Sequence, residues 1–390
     1  ATRVGSFRGK TRGAYFNTMS VLFEPIEIHG MPLKNRLVRS ATHDGCSSEQ
    51  GEITDKTIEL YAGLARGGVG LIVTGFACVH RTGAAFLHQT LIDNDDSIVG
   101  LKRLVDSVHK YDVKIAVQLV HCGRNAYAVR KSGQTPLAPS WIQNDPSYKE
   151  AYRAMTAVEI EDTIDAFGQA ARRARAAGFD AIQLHAAHSY LFSQFLSPRS
   201  NQRTDRWGGS LENRMRFHTE VIKIIRQAVG QDYPLLIKLG VKDTAAGGLT
   251  LREGCQVAGE LSTCGIDGIE VSEGLEETRA NHMRKGIKPG KSEAYYARWA
   301  REIKREVRIP VMLVGGMRSP HVGERIVEAG DADMISMCRP FIREPDIVDR
   351  WHRGEREPAS CISCNLCVER LRREEPLECV QESRKRAQLR

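Results

Sequence analysis

Eight short β-rich runs recur along the chain, at residues 37–40, 70–74, 114–119, 181–184, 235–238, 268–271, 311–314 and 334–337. Between them lie amphipathic or Ala-rich stretches of helical period, such as 55–66, 158–176, 211–229 and 293–306. Several are followed by Gly, as helix exits often are. Strand and crossover helix repeated eight times predict an α/β protein, a (β/α)8 TIM barrel with a parallel sheet. An open doubly wound sheet is the alternative, but it usually carries a glycine-rich dinucleotide turn after an early strand, and none is visible.

Two long insertions break the rhythm after strands 3 and 4, at about 122–154 and 185–210. Segments that follow strands lie on the C-terminal face of a barrel, so the extra length predicts a lid or pocket wall there. The expected division is an N-terminal extension over 1–18, a barrel over 19–353 and a short cysteine-rich C-terminal tail over 354–390. Residues 1–18 hold Arg3, Arg8, Lys10 and Arg12, with no carboxylate and no apolar core of signal-peptide length. They read as a cloning remnant, an alternative upstream start or an organelle-targeting segment.

Composition changes this picture little. The 390 residues are 41% hydrophobic and 27% charged, ordinary for a chain with a sizeable core. The net charge is +8, with acidic residues spread along the whole chain. No zinc finger, RNA-binding signature or basic-aromatic interleaving accompanies it, so no nucleic-acid partner is expected, and a mildly positive field suits anionic cofactors. No apolar run approaches the roughly 18 residues of a membrane span. Cys46, Cys78, Cys122, Cys255, Cys264 and Cys338 are scattered as in a reducing compartment, and a cytoplasmic protein is expected.

The strand ends carry the candidate chemistry. They present Ala41 and Thr42, Thr74 and Gly75, Gln118, His185, Lys238, Ser272, Gly315 and Gly316, and Cys338 and Arg339. An amide, an imidazole, an amine, a guanidinium and three glycines are unusual company for a core. Gly315, Gly316 and Arg339 follow strands 7 and 8, where barrels often bind phosphate; a tight turn and a surface ion pair are the plain alternative. Past strand 4, His185 and His188 with Tyr190 leave three readings open. They are a metal pair lacking a partnered carboxylate, two satisfied core histidines, or two N–H donors gripping one carbonyl or nitro oxygen, with Tyr190 as proton donor.

The stretch HAAHSYLFSQFLSP from His185, followed by SNQRTDRWGGSLENR from Ser200, resembles the signature of the Old Yellow Enzyme family. The early Phe23-Glu-Pro25 and Lys34-Asn35-Arg36, and the late RPFIREP from Arg339, resemble the same family, so the likeness spans about 21–353. The resemblance implies noncovalent FMN, reduced by NADH or NADPH, and hydride delivery to an activated alkene in a single pocket. Carried over by motif, Ala41, Thr42, Gly75, Gln118, Lys238, Gly316, Cys338 and Arg339 are expected to contact FMN, with Gly315 beside them. Lys238 stands where many relatives have Arg, a point charge in place of a bidentate fork. His43 falls near the substrate position, where it gates the pocket or merely faces the loop.

The tail adds Cys361, Cys364, Cys367 and Cys379, with two, two and eleven residues between them. Four thiolates so spaced suit a 4Fe-4S cluster or zinc, and their place resembles the dienoyl-CoA reductase group of larger relatives. Those relatives usually have three residues between the second and third cysteines and continue into a nucleotide-binding domain. A cluster here implies a soluble electron carrier as partner; a reduced or vestigial thiol group is the plain alternative. The expected function is an FMN-dependent ene-reductase acting on small activated alkenes (enones, nitroalkenes or enoyl-type substrates). An FMN and iron–sulfur electron-transfer component, a dienoyl-CoA reductase and an amine dehydrogenase are the alternatives. Homo-oligomers are common in the family, and no interface motif points to one here.

Overall fold

The computed structural model describes residues 20–143, 145, 148–276 and 283–388; the N-terminal extension 1–18 lies outside them. The barrel strands are β1 (Leu37–Arg39), β2 (Leu71–Val73), β3 (Lys114–Val120), β4 (Ala181–Ala186), β5 (Leu235–Gly240), β6 (Gly268–Ser272), β7 (Val311–Leu313) and β8 (Met334–Met337). Each pairs in parallel with the next, and β8 returns to β1 through Ile335 opposite Leu37, so the sheet closes. All eight predicted strands are present. Their runs are largely apolar because helices cover the outer face while side chains fill the interior.

The helices are α1 (Asp55–Arg66), α2 (Ser97–His109), α3 (Ala157–Ala176), α4 (Leu211–Val229), α5 (Leu251–Thr263), α6 (Ala297–Glu306), α7 (Pro320–Glu328) and α8 (Ile347–His352). Thr156 with Glu159, and Thr250 with Glu253, form capping boxes that start α3 and α5. Gly230, at φ 84°, ends α4. The helix expected from 293 begins only at Ala297. The Glu293 carboxylate instead accepts from the N–H groups of Arg318 and Ser319 and from the Ser319 hydroxyl, tying this loop to the start of α7.

An antiparallel hairpin, Ile26–Ile28 with Met31–Leu33, packs Ile28, Met31 and Leu33 against Leu236, Met312 and Met334 and closes the N-terminal mouth. At the other mouth the two insertions are clamped together. Arg203 holds Asp205 and also donates to the carbonyls of Pro139 and Met155. Asn201 donates to the carbonyls of Phe195 and Trp207. In the first insertion, Arg124 and Asp145 form a buried ion pair at 2.5 Å with the Tyr148 and Tyr152 rings beside the guanidinium.

The tail docks on this same face. The Leu377 N–H donates to the Asp44 carbonyl, Ala359 N–H to the Arg318 carbonyl, and Gly286 N–H to the Ser363 carbonyl. It carries two helices, α9 (Leu366–Arg372) and α10 (Val380–Gln388). The end beyond Cys379 is helical to Gln388, and Glu382 pairs with Arg343 at 2.8 Å. Among the described residues no helix is long and apolar enough to cross a membrane.

Between α4 and the core, His218 is 0% exposed and neither ring nitrogen has a hydrogen-bond partner. Burial drives its pKa to about 3, and does the same for the equally buried His121. Between pH 6.5 and 3 the unfolded chain therefore binds protons that the folded chain refuses. Stability should fall as pH drops through this window, by about 1.4 kcal/mol per pH unit for each histidine. His218→Leu is expected to raise the urea midpoint at pH 7, by removing about 1–3 kcal/mol of desolvation cost, and to flatten the acid limb by one proton. Urea titrations at several pH values measure both, and an unchanged acid slope would count against it.

Candidate functional site

A cavity of about 510 Å³ opens on the C-terminal face, bounded by the strand ends, both insertions and the docked tail. Ala41, Thr42, His43, His185, His188, Tyr190, Lys238, Gly316, Cys338 and Arg339 all line it. Gly75, Gln118 and Gly315 do not appear in its wall, and of the four tail cysteines only Cys367 does.

The floor is polar and buried. Register sets Lys238 on β5 opposite both His185 and Glu270, and Gln118 opposite Gln183. Lys238 is 3% exposed; its Nζ lies 3.4 Å from Glu270 Oε1 and donates to Ser40 Oγ at 2.8 Å. Gln118 is 0% exposed, donates through Nε2 to Gln183 Oε1 at 2.7 Å, and leaves its own Oε1 without a partner. An orphaned acceptor of this kind costs stability unless a ligand supplies a donor.

His185 belongs to β4 itself, which runs two residues past its predicted end to Ala186. Its Nδ1 accepts from Ala187 N–H at 3.4 Å, which places the proton of a neutral ring on Nε2. The chain then turns through His188 and Ser189, both left-handed at φ 57° and 61°, a strained pair for residues with side chains. Glu273 and Gly274 hold the turn, each accepting one of the two backbone N–H groups at 3.0 Å. The turn folds His188 back until its ring lies 5.1 Å from that of His185, edge-on, with Nε2 sharing a hydrogen bond with Ser272 Oγ at 2.8 Å. The Tyr190 ring lies 4.8 Å from His185, also edge-on. All three polar side chains thus border one space.

The roof is aromatic. His43 stacks on Phe86 at 4.4 Å and lies 5.5 Å from Phe76, which also touches Tyr190. Burial, and then the neighbouring His88, drives the His43 pKa down to about 3. His43 is therefore a neutral wall of the cavity and not a group that titrates near neutral pH. Thr42 Oγ1 accepts from the Arg39 guanidinium at 2.8 Å, which fixes the hydroxyl within the wall.

At the rim, Gly316 has φ +73°, and a Cβ there would meet the Tyr295 ring at 2.9 Å. The turn needs glycine for conformation and for space. Arg339 donates to the Arg284 carbonyl and to Asn365 Oδ1, at 2.8 and 2.6 Å, so a tail residue orients it. Gly75 serves close approach: a Cβ would lie 2.8 Å from the Thr42 carbonyl, and its N–H donates to the Tyr61 hydroxyl at 2.6 Å.

In the tail, burial and the neighbouring Cys361 push the Cys367 thiol up to about 11 despite Arg339. Cys379 lies close enough to raise Cys361 in turn, after burial. Among the described residues, no three His, Cys, Asp or Glu side chains gather closely enough to hold a metal ion as they stand. Ser272, anticipated at the end of strand 6, lines the cavity, whereas sequence reasoning missed Gln183 and Glu270 as partners of the site. The signal was there, since Gln183 and Glu270 are polar residues in the middle of otherwise apolar strand runs.

A closed barrel with a buried cation, an orphaned amide oxygen and a paired-imidazole wall at its C-terminal mouth is a site built to receive a ligand. The chain belongs to the NADH:flavin oxidoreductase / NADH oxidase family, whose profile matches residues 21–357. It is 37% identical over 364 residues to a metal reductase of Desulforamulus reducens, covering 93% of this chain and 53% of that protein. To an NADPH dehydrogenase of a Geobacillus species it is 34% identical over 353 residues, covering 90% of this chain and 98% of that one. A 2-naphthoyl-CoA reductase structure in complex with 2-naphthoyl-CoA superposes with a TM-score of 0.86 at 30% identity, over 92% of this chain and 56% of that one. The chain thus spans about half the length of several relatives it matches.

Proposed function

We propose that this chain is an FMN-dependent ene-reductase that uses NAD(P)H to reduce small activated alkenes. The observation that carries the proposal is the convergence of His185, His188 and Tyr190 on one cavity that Lys238, the register partner of His185 on the next strand, also lines. The residues fit FMN. Gln118 Oε1 lacks a donor, Lys238 supplies a buried cation, and Gly316 leaves room at the rim. Ala41, Thr42, Gln118, Lys238, Gly316, Cys338 and Arg339 would hold the group, while Gly75 and Gly315 would shape the backbone around it.

When bound, FMN supplies the hydride chemistry. His185 and His188 bind the carbonyl or nitro oxygen of the substrate and stabilise the negative charge that builds on it. Tyr190 holds the proton required at the α carbon. The Phe76 and Phe86 roof excludes water from that carbon, and His43, being neutral, adds no competing charge. Paired imidazoles suit an oxygen acceptor better than a cationic amine, which favours alkene reduction over amine oxidation. Cytoplasmic placement accords with the six scattered cysteines read as reduced thiols.

The purified protein should be yellow, NAD(P)H should bleach it without oxygen, and cyclohexenone or maleimide should restore the colour. A colourless protein that ignores added FMN would overturn the proposal. A second reading, electron exchange with a soluble carrier through a tail cluster, draws on Cys367, which lies in the same cavity wall. Iron and acid-labile sulfide in the yellow protein would favour that reading. A zinc content without sulfide would leave the tail a purely structural part.

A further inference from the structure

We infer that Glu270 is a positioning residue that sets the hydrogen-bonding polarity of the cofactor floor; this rests on the FMN proposal above. Glu270 is 0% exposed and sits in the middle of β6. A carboxylate only accepts hydrogen bonds, so every neighbour must turn a donor toward it. On one side, Oε1 accepts from Ser40 Oγ at 2.5 Å, and Lys238 Nζ lies 3.4 Å away while donating to the same Ser40 hydroxyl. The ammonium is thereby held at one place by two contacts of a fully buried group.

On the other side, Oε2 accepts from Gln183 Nε2 at 3.1 Å. With its NH2 turned to the carboxylate, Gln183 can offer Gln118 only its oxygen, and Gln118 must answer with Nε2, at 2.7 Å. The remaining atom, Gln118 Oε1, is the acceptor left without a partner. Two amides, either of which could be flipped by itself, are oriented by one carboxylate two residues away in the relay. The relay then leaves a cation at Lys238, which lines the cavity, and a buried, unpartnered acceptor at Gln118. A flavin pyrimidine edge, which carries a carbonyl beside an N–H donor, requires that pair in that order.

Glu270 also places a negative charge beside the cation, so Lys238 offers reduced flavin less net attraction than an uncompensated ammonium would. Glu270→Gln removes this charge and, because an amide both donates and accepts, frees the relay to reverse. FMN binding to the deflavinated protein, followed by fluorescence quenching, is expected to weaken at least tenfold in Glu270→Gln. Reduced FMN should at the same time gain about tenfold over oxidised FMN, a rise of about 30 mV for a two-electron couple.

Gln183→Met cuts the amide arm and leaves the ion pair. It should weaken FMN binding by a similar factor with the potential unchanged. This split between affinity and potential is one that a merely structural role would not produce. Wild-type affinity and potential in Glu270→Gln overturn the inference. Gln183→Met alone decides if Glu270→Gln yields no folded protein, and wild-type FMN affinity in it is likewise fatal. A wild-type chain that binds no FMN would instead remove the underlying functional proposal.

Discussion

Tyr190→Phe is expected to slow alkene reduction by about 10²- to 10⁴-fold, the usual contribution of a positioned acid, while flavin reduction by NAD(P)H stays near the wild-type rate. The substitution keeps the ring, its contact with Phe76 at 5.5 Å and its edge against His185 at 4.8 Å, and removes only the hydroxyl. Packing should therefore survive, and the loss should fall on the half-reaction that consumes a proton. Stopped-flow measurement of the two half-reactions separates them. Equal losses in both would argue against a proton-donating role and for a role in shaping the pocket.

His185→Ala should cost about 10²- to 10³-fold in kcat/KM for a cyclic enone, the loss typical of one removed oxyanion donor. Much of it should appear as weakened substrate binding, because the carbonyl is gripped before hydride arrives. His188→Ala should cost as much or more, since the turn that carries it is held by Glu273 and Gly274 to no other evident chemical end. His188→Asn tests the geometry further. It keeps an N–H donor and tolerates the left-handed backbone at φ 57°, so partial recovery is expected. Enone titration of the oxidised protein, read by the flavin spectrum, measures binding directly. Unchanged affinity in both alanine variants would remove the clamp from the mechanism.

The barrel was legible in the sequence because parallel strands covered on both faces leave continuous apolar runs, and helices between them change the period. All eight strands and the two insertions follow from that alternation. Helix starts were harder. At 293 the apolar pattern continues upstream of the true start, but a carboxylate engaged by another loop overrides it. Of the site, the strand-end rule found Ala41, Thr42, His185, Lys238, Ser272, Gly316, Cys338 and Arg339 in the cavity wall, because direction along a barrel strand decides which end reaches the mouth. It could not separate Gln118, which is absent from the cavity lining, from Lys238, which belongs to it, nor detect the Gln183 and Glu270 relay. Those contacts join strands 65 and 87 residues apart, and no local pattern encodes which buried polar groups will meet.

The docked tail bears on how the protein is made. The sheet closes only when Ile335 reaches Leu37, and the cavity wall gains Leu371 and Leu377 only after that. Synthesis runs from the N-terminus, so both events wait for segments translated after most of the barrel. Until then the strand ends face solvent, with Lys238 and Glu270 wetted and the Gln118 amide able to turn. In synthesis order the strands that close the barrel therefore emerge before the tail that docks over Asp44 and completes the cavity wall. Cofactor supplied during translation would meet a half-built receptor, and tight loading should await the emergence of the tail.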